Sequence, residues 1–343
     1  MSGSVFCFGE LLLRMSPSLG QEWIRANSMP VFIGGAELNV ATALAGWKIP
    51  VKYCTALPDH YLSQEIMQDA QQKNIDTSAI HLSGERIGVY YLPQGADLKN
   101  AGVIYDRAYS SFASLKPGMI DWDKVLDDCS WFHFTAISPA LNENVVAVCK
   151  EGLEVATKKG LTISVDLNFR AKLWKYGKLP VEVMPSLAEY CHLIMGNIWA
   201  AHNLLGMPLD KEVETRDNKA SYLDHAHATS TAIFERFPNC KYVANTFRFD
   251  AGKGIHYYAS LNTKEDQFVS PEFNTQSVVD KIGSGDCFMG GLIYGMHREQ
   301  DAQSVISYAA AAAFGKLQEK SDATRQTVSD VQKVLNTAIE AAI

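Results

Sequence analysis

No apolar run in this 343-residue chain approaches the ~20 residues that a membrane-spanning helix needs. No CxxC pair occurs among the seven cysteines at 7, 54, 129, 149, 191, 240 and 287. An odd, scattered set lying mostly in apolar runs reads as reduced, buried thiols and a cytoplasmic setting, not a disulfide frame or a zinc site. The nine histidines are equally dispersed, and the one close pair, His225 and His227, is better explained by a solvated helix face than by a metal. Positive charge is in deficit. A net charge of −7 argues against nonspecific binding to nucleic acid or an anionic membrane, while leaving room for local cationic sites that hold an anionic substrate. The first residues, Met-Ser-Gly-Ser and then Val5-Phe-Cys-Phe-Gly9, carry neither a basic region nor a long apolar core, so they read as a first strand and not as a signal peptide. Gly9-Glu-Leu-Leu follows that strand where a dinucleotide fold would carry GxGxxG, which leaves a nicotinamide enzyme with little support. Internal repeats and low-complexity linkers are also missing.

What remains is an ordinary globular composition, 47% hydrophobic and 20% charged, long enough for one large α/β domain or two smaller ones. Short apolar runs at Val5–Phe8, Val51–Cys54, Trp131–Phe134, Leu161–Val165, Leu193–Met195 and Tyr242–Ala244 read as strands. Helical spacing fills the gaps, as in Val145–Lys159, where Val145, Val148, Cys149 and Gly152 share a face and Lys158-Lys-Gly160 supplies a stop. This rhythm predicts right-handed βαβ units, a parallel sheet and helices on both faces. Two segments, about 11–33 and 85–109, alternate instead like exposed strands. They are expected to pair into a small separate sheet over the main body, serving as a lid or a dimer clasp; two surface hairpins are the plainer alternative.

The densest signal is Asp280-Lys-Ile-Gly-Ser-Gly-Asp286 followed by Cys-Phe-Met-Gly-Gly-Leu-Ile. Gly283 and Gly285 clear side chains from a turn that opens a helix, where outward amides and the helix dipole favour a phosphate or a developing negative charge. Asp286 stands at the helix lip, within reach of a group attacking that phosphate. An anion cradle beside a base suits phosphoryl transfer to a hydroxyl. An ordinary N-cap after a flexible turn would explain one glycine and one acid, but less easily two glycines around Ser284 with an acid at each end.

Ligands of an open parallel sheet bind beyond the carboxyl ends of its strands. Four such ends carry polar groups: Thr135 and Ser138; Asp166, Asn168, Arg170 and Lys172; Gly196 and Asn197; Asn245, Thr246 and Arg248. A second glycine turn, Gly34-Gly35-Ala-Glu-Leu-Asn39, opens another helix. Asn39 there either holds a sugar hydroxyl or simply sits in a first turn, and the residues leave both readings open. After Asp286, Met289, Leu292, Ile293 and Met296 form a core stripe, with Gly290 and Gly291 permitting close approach of a neighbour. Ala309–Ala313 reads as a tightly packed helix and a candidate wall of a nucleotide pocket.

With these motifs in place, the chain resembles the ribokinase-like (PfkB) family of sugar kinases over nearly its whole length. Gly34-Gly35…Asn39 and Asp280-x-x-Gly283-Ser-Gly285-Asp286 carry the likeness, the second more specifically. Phe8-Gly-Glu-Leu-Leu-Leu-Arg-Met-Ser-Pro17, Gly34-Gly-Ala-Glu-Leu-Asn-Val-Ala41, Tyr105-Asp-Arg107 and Asp166-Leu-Asn-Phe-Arg-Ala-Lys-Leu-Trp174 look most like the 2-keto-3-deoxygluconate kinases of that family. The resemblance implies a single kinase domain over 1–343, a three-layer α/β/α fold with a mostly parallel central sheet, and a small β-sheet lid inserted at about 11–33 and 85–109.

It further implies ATP and Mg2+, a small sugar acid or ketose as the partner, and a homodimer, or a larger assembly, joined through the lids. Asp286 would be the base, and the amides of Gly283, Ser284 and Gly285 would hold charge on the travelling phosphoryl group. Gly34, Gly35, Asn39, Tyr90, Tyr105, Arg107, Asn168 and Arg170 would line the sugar site, with Asp322 reaching it from a stretch that matches the subgroup poorly. Arg107 and Arg170 suit a carboxylate, although one of them making a structural salt bridge is the alternative. Asn197, Thr246 and Arg248, with Gly283 and Gly285, would face the nucleotide. Asp280 matches a position that helps to hold a monovalent cation such as K+ in relatives. One departure stands out. The family usually carries Asn-x-x-Glu after the strand at 193–195, its acid organising magnesium, whereas this chain reads Asn197-Ile-Trp-Ala200. The leading expectation is a 2-keto-3-deoxygluconate kinase. A fructokinase or other ketose kinase is the alternative, and a sugar-binding member with weak or no transfer follows from the lost acid.

Overall fold

The computed structural model describes residues 2–94, 102–216, 218–252 and 254–341; the portion of the expected lid at 95–101, and the few other positions of the expected 1–343 domain that are left out, fall outside them. A ten-stranded sheet organises the chain. Across it the strands run Gln267–Val269, Gly254–Asn262, Tyr242–Ala251, Leu193–Gly196, Thr162–Asp166, Cys129–Thr135, Ser4–Phe8, Val51–Cys54 and Ile75–Asp76, with Phe273–Thr275 pairing beside Gly254–Asn262. From Tyr242–Ala251 to Ile75–Asp76 every pairing is parallel. The chain leaves Ser4–Phe8 toward Val51–Cys54 on one side and later returns to its other side with Cys129–Thr135. That reversal is a switch point, where loops diverge and leave a crevice.

Alternation explains the layers. Val5 and Cys7 pack into one apolar core, with the helices Ala36–Gly46, Ser284–His297 and Ala302–Lys316. Phe6 and Phe8 point the other way, into a second core with Glu143–Lys158 and Pro180–Ala188. Both faces of the strand are therefore buried, as parallel sheets require. Glu143–Lys158 forms close to its expected bounds because the Asn142 side chain accepts from Val145 N at 3.0 Å, and because Gly152 leaves room for the Trp122 ring. Gly291 likewise admits Ala309, whose Cα would lie 2.5 Å from an added Cβ.

The two irregular segments form a four-stranded sheet of their own, Val31–Gly34, Leu12–Met15, Gly88–Tyr91 and Ile104–Asp106 in that order. A five-residue helix, Glu22–Ala26, interrupts the first segment, which the alternation did not foretell. Larger departures lie at the far edge of the main sheet. The strand expected at Tyr242–Ala244 runs on to Ala251 because it pairs antiparallel with Gly254–Asn262 along its length. Ala309–Ala313 is fully buried core and does not line the cleft described below, so it is not the pocket wall that its composition suggested. No described helix is long and apolar enough to cross a membrane.

Candidate active site

A cleft of about 450 Å³ opens at the carboxyl ends of the parallel strands, beside the small sheet. It draws together most of the residues singled out from the sequence: Gly35, Asn39, Tyr90, Tyr105, Arg107, Asn168, Arg170, Asn197, Thr246, Arg248, Gly283, Ser284, Gly285 and Asp286 all line it. Gly34 and Asp280 do not. Gly34 lies behind the wall, where an added Cβ would stand 2.7 Å from Asp322 Oδ2. Asp280 turns toward Arg14, 3.7 Å from its Nη2, and accepts from Ile282 N at 3.0 Å.

Gly283 caps the helix Ser284–His297 at φ +75°, a left-handed conformation, and a Cβ there would fall 1.8 Å from Asp322 O. Only glycine fits. Ser284 directs its hydroxyl away from the cleft, donating to Ala313 O at 3.0 Å, so its backbone and not its side chain is what this turn can offer a ligand. Asp286 sits in the first helical turn, nine-tenths buried, and Oδ2 accepts from Asn39 Nδ2 at 2.7 Å. Burial pushes its pKa up to about 6, against the pull of Asn39, Arg170 and Lys316, and Asp322 adds to the rise. Asn39 therefore grips the carboxylate, which the sequence reading had not foreseen; its amide holds one oxygen and leaves Oδ1 for another partner.

The residues expected to line the sugar site include members of two buried carboxylate networks. Tyr90 Oη donates to Asp322 Oδ2 at 3.2 Å, and Arg14 reaches Oδ1 through Nε at 2.9 Å and Nη2 at 2.6 Å. Tyr105 packs against Tyr90. Arg107 pairs with Glu10 Oε2 through Nε at 2.7 Å and Nη2 at 2.5 Å, and Ser110 Oγ donates to the other oxygen. Arg107 is thus the arginine with a structural salt bridge. Arg170 differs: its Nη1 donates to its neighbour Phe169 O at 3.1 Å, and among the described residues it makes no salt bridge. Asn168 N donates to Asp166 Oδ1 at 3.0 Å, closing a turn that aims Asn168 and Arg170 into the cleft.

Asp166 was named in the sequence among the polar groups at the strand ends but was given no role in the site. It lines the cleft, and burial with repulsion from Asp286 pushes its pKa up to about 7. Arg14 and Glu10 were missed, being read only as part of a motif. Toward the antiparallel edge, Asn197 caps the helix Ile198–Leu205 by accepting from Ala200 N at 2.8 Å, while Trp199, Ala200, Thr246, Arg248 and Phe249 complete the wall. Ala200, standing where the resemblance leads one to expect an acid, does face the cleft. Among the described residues no group of three or more His, Cys, Asp or Glu is assembled as a metal cage.

The raised pKa of Asp286 has a stability consequence. The carboxyl favours the fold fully below the unfolded value of 3.8, and this contribution is lost as pH rises through about 6. The loss amounts to about 2–3 kcal/mol. Asp286→Asn, neutral throughout, is therefore expected to melt above the wild type at pH 7.5, with the difference closing near pH 4. Calorimetric melts across that range check it, and a variant less stable at every pH would contradict it.

A doubly wound, mostly parallel sheet with a small separate sheet and an acid-bearing helix behind a glycine turn is the ribokinase-like architecture. The chain belongs to the PfkB family of carbohydrate kinases: the pattern described as "pfkB family carbohydrate kinase" matches residues 2–327. It is a sugar phosphotransferase by that membership. It is 27% identical to a 2-dehydro-3-deoxygalactonokinase of Haloferax volcanii over 98% of this chain and 97% of the relative. A solved 2-dehydro-3-deoxygluconokinase from Thermotoga maritima superposes with a TM-score of 0.87 at 30% identity, covering 98% of this chain and 99% of the other. Fructokinase-2 of Solanum lycopersicum is 26% identical over 85% of this chain and 81% of its own length.

Proposed function

We propose that this kinase transfers the γ-phosphoryl group of ATP to the 6-hydroxyl of 2-keto-3-deoxygluconate. The observation that carries the choice of a sugar acid is Arg170, a guanidinium on the wall of the cleft that acts on Asp166 and Asp286 through its field but makes no salt bridge among the described residues. A carboxylate at one end of the substrate would meet it through charge-assisted hydrogen bonds. The two relatives whose names specify 2-dehydro-3-deoxy sugars support the same class.

In this reading Asp286 Oδ1 takes the proton of the primary hydroxyl while Asn39 holds Oδ2, which fixes the carboxylate's orientation. The amides of Gly283, Ser284 and Gly285 steady negative charge on the transferred group. Tyr90, Asn168 and Gly35 bound the sugar, Arg107 contributes a wall whose charge Glu10 already balances, and Asn197, Thr246 and Arg248 lie on the nucleotide side. Magnesium fits the donor set: the ion takes only one or two carboxylates when it travels on phosphates, and Asp166, crowded by Asp286, offers one on the cleft wall. Bound there it would neutralise phosphate charge, and the absence of an acid at Ala200 places more of the protein's share on Asp166. The small sheet, as a lid, would exclude water that otherwise hydrolyses ATP. Its exposed Val31 and Ile104 support pairing of two copies through that sheet, and the seven free thiols support a cytoplasmic home.

Fructose phosphorylation is the second reading, favoured by the Arg107–Glu10 pair, which leaves only Arg170 of the two arginines expected at the sugar to meet an acid. A panel of sugar acids and ketoses with coupled ADP detection separates them. Arg170→Ala is expected to lower kcat/KM for the acid roughly 10–100-fold, the worth of a charge-assisted bond, with fructose little changed. Equal losses on both would sink the sugar-acid assignment.

A further inference from the structure

Behind the glycine turn, outside the cleft, lies a charge that has entered so far only through its pull on Asp286. Lys316 ends the helix Ala302–Lys316 and has no exposed surface. Its Nζ donates to Glu319 O at 3.2 Å, and its Cε is 3.5 Å from the place a Gly283 Cβ would take. Burial pulls its pKa down, while Asp280, Glu319 and Asp322, with the Cys287 thiol, push it back up, and its charge also reaches Asp286. The segment around it is fastened to the cradle at several points: Val279 N and Asp280 N donate to Leu317 O, Ser284 Oγ to Ala313 O, and Gly283 lies against Asp322 O.

A buried ammonium is costly unless acids surround it, and a buried acid is costly unless a cation does. Asp280 already has a cation of the chain beside it, the Arg14 guanidinium 3.7 Å away, and lies in the field of Lys316 as well. The monovalent ion that the resemblance attaches to the Asp280 position does not fit this donor set. Such an ion would have to settle beside an ammonium and a guanidinium, where the nearby Glu319 carbonyl already accepts from Lys316.

We infer that Lys316 is a built-in counter-ion for the Asp280–Gly285 loop, which replaces a monovalent metal ion and makes this kinase independent of K+. The inference rests on reading Gly283–Gly285 as the phosphoryl cradle. Lys316 touches no reactant; it is a positioning residue that orders the turn and sets the field behind it.

The test compares full-length protein in potassium and in tetramethylammonium salts, by thermal melting and by ADP release with ATP, magnesium and the sugar panel. Wild type is expected to show the same melting temperature and the same rate in both. Lys316→Met is expected to melt below the wild type and to lose turnover, because an acid is left without its buried partner. Ammonium or potassium, but not tetramethylammonium, should restore part of that rate and raise the variant's melting temperature. A wild type that needs potassium, or melts higher in it, overturns the inference. So does a folded Lys316→Met that keeps full rate, or one that no small cation rescues. Should Lys316→Met fail to fold, Lys316→Arg decides alongside the wild type: retained charge should keep both rate and indifference to potassium, and a gain of potassium dependence contradicts the claim. If no sugar is phosphorylated in either salt, the substrate reading fails, while the melting comparison still judges Lys316.

Discussion

Asp286→Asn should lose roughly 10²–10⁴-fold in turnover, the usual worth of a general base, while sugar affinity stays near that of the wild type. The asymmetry follows from the contacts. Asn39 donates to Oδ2 at 2.7 Å, and an amide oxygen in that position accepts the same bond, so the local packing survives. The substituted group cannot take a proton. The pH profile should carry the same signature. With a pKa of about 6, the carboxyl is largely ionised at neutral pH and protonated in mild acid, so wild-type turnover should rise with pH through about 6. The residual rate of Asp286→Asn should lack that limb. Coupled ADP release and calorimetric sugar binding measure both halves. Near wild-type turnover, or a lost sugar site with an unchanged rate limb, would remove Asp286 from the role of base.

Gly283→Ala should be almost as damaging, by a different route. The residue sits at φ +75°, where alanine costs about 1 kcal/mol, and its methyl group would lie 1.8 Å from the Asp322 carbonyl oxygen. That oxygen is backbone and cannot swing aside as a flexible side chain would. The turn must move, carrying the amides of Ser284 and Gly285 away from the place where charge develops. Losing aligned donors of this kind costs about 10²–10³ in kcat. Melting should fall as well, because Asp322 is also the partner of Arg14 and Tyr90. Gly285→Ala is the informative contrast: a Cβ there meets nothing within 4 Å, so the fold should be unharmed, and any loss of rate reports on the cleft alone. If Gly283→Ala retained wild-type turnover and melting, the turn would not be the rigid cradle described.

The parallel strands were legible because a strand buried on both faces needs a continuous apolar run, and the run Val5–Phe8 lies within the strand Ser4–Phe8. The antiparallel edge was not. Thr246, Arg248 and Asp250 interrupt the apolar pattern of Tyr242–Ala251, and only pairing with Gly254–Asn262 keeps that strand extended. The glycine turns were readable for a local reason: Gly283 is required by its own backbone and by one close neighbour. Partners far apart in sequence were hidden. Nothing near Asn39 announces that its amide will meet Asp286, 247 residues later, and nothing near Arg14 points to Asp322, 308 residues away. Arg107 and Arg170 look equivalent as residues; the Glu10 carboxylate distinguishes them only in the folded chain. Lys316 reads as the usual basic helix stop until burial shows what surrounds it.

The account depends on the cleft joining a base to an anion cradle, and phosphorus NMR of one reaction mixture tests that most directly. With ATP, magnesium and 2-keto-3-deoxygluconate, the spectrum should show ADP and a single new phosphate ester coupled to the protons of the terminal CH₂ group. Binding of the sugar with no loss of ATP, or release of inorganic phosphate without an ester, would contradict it.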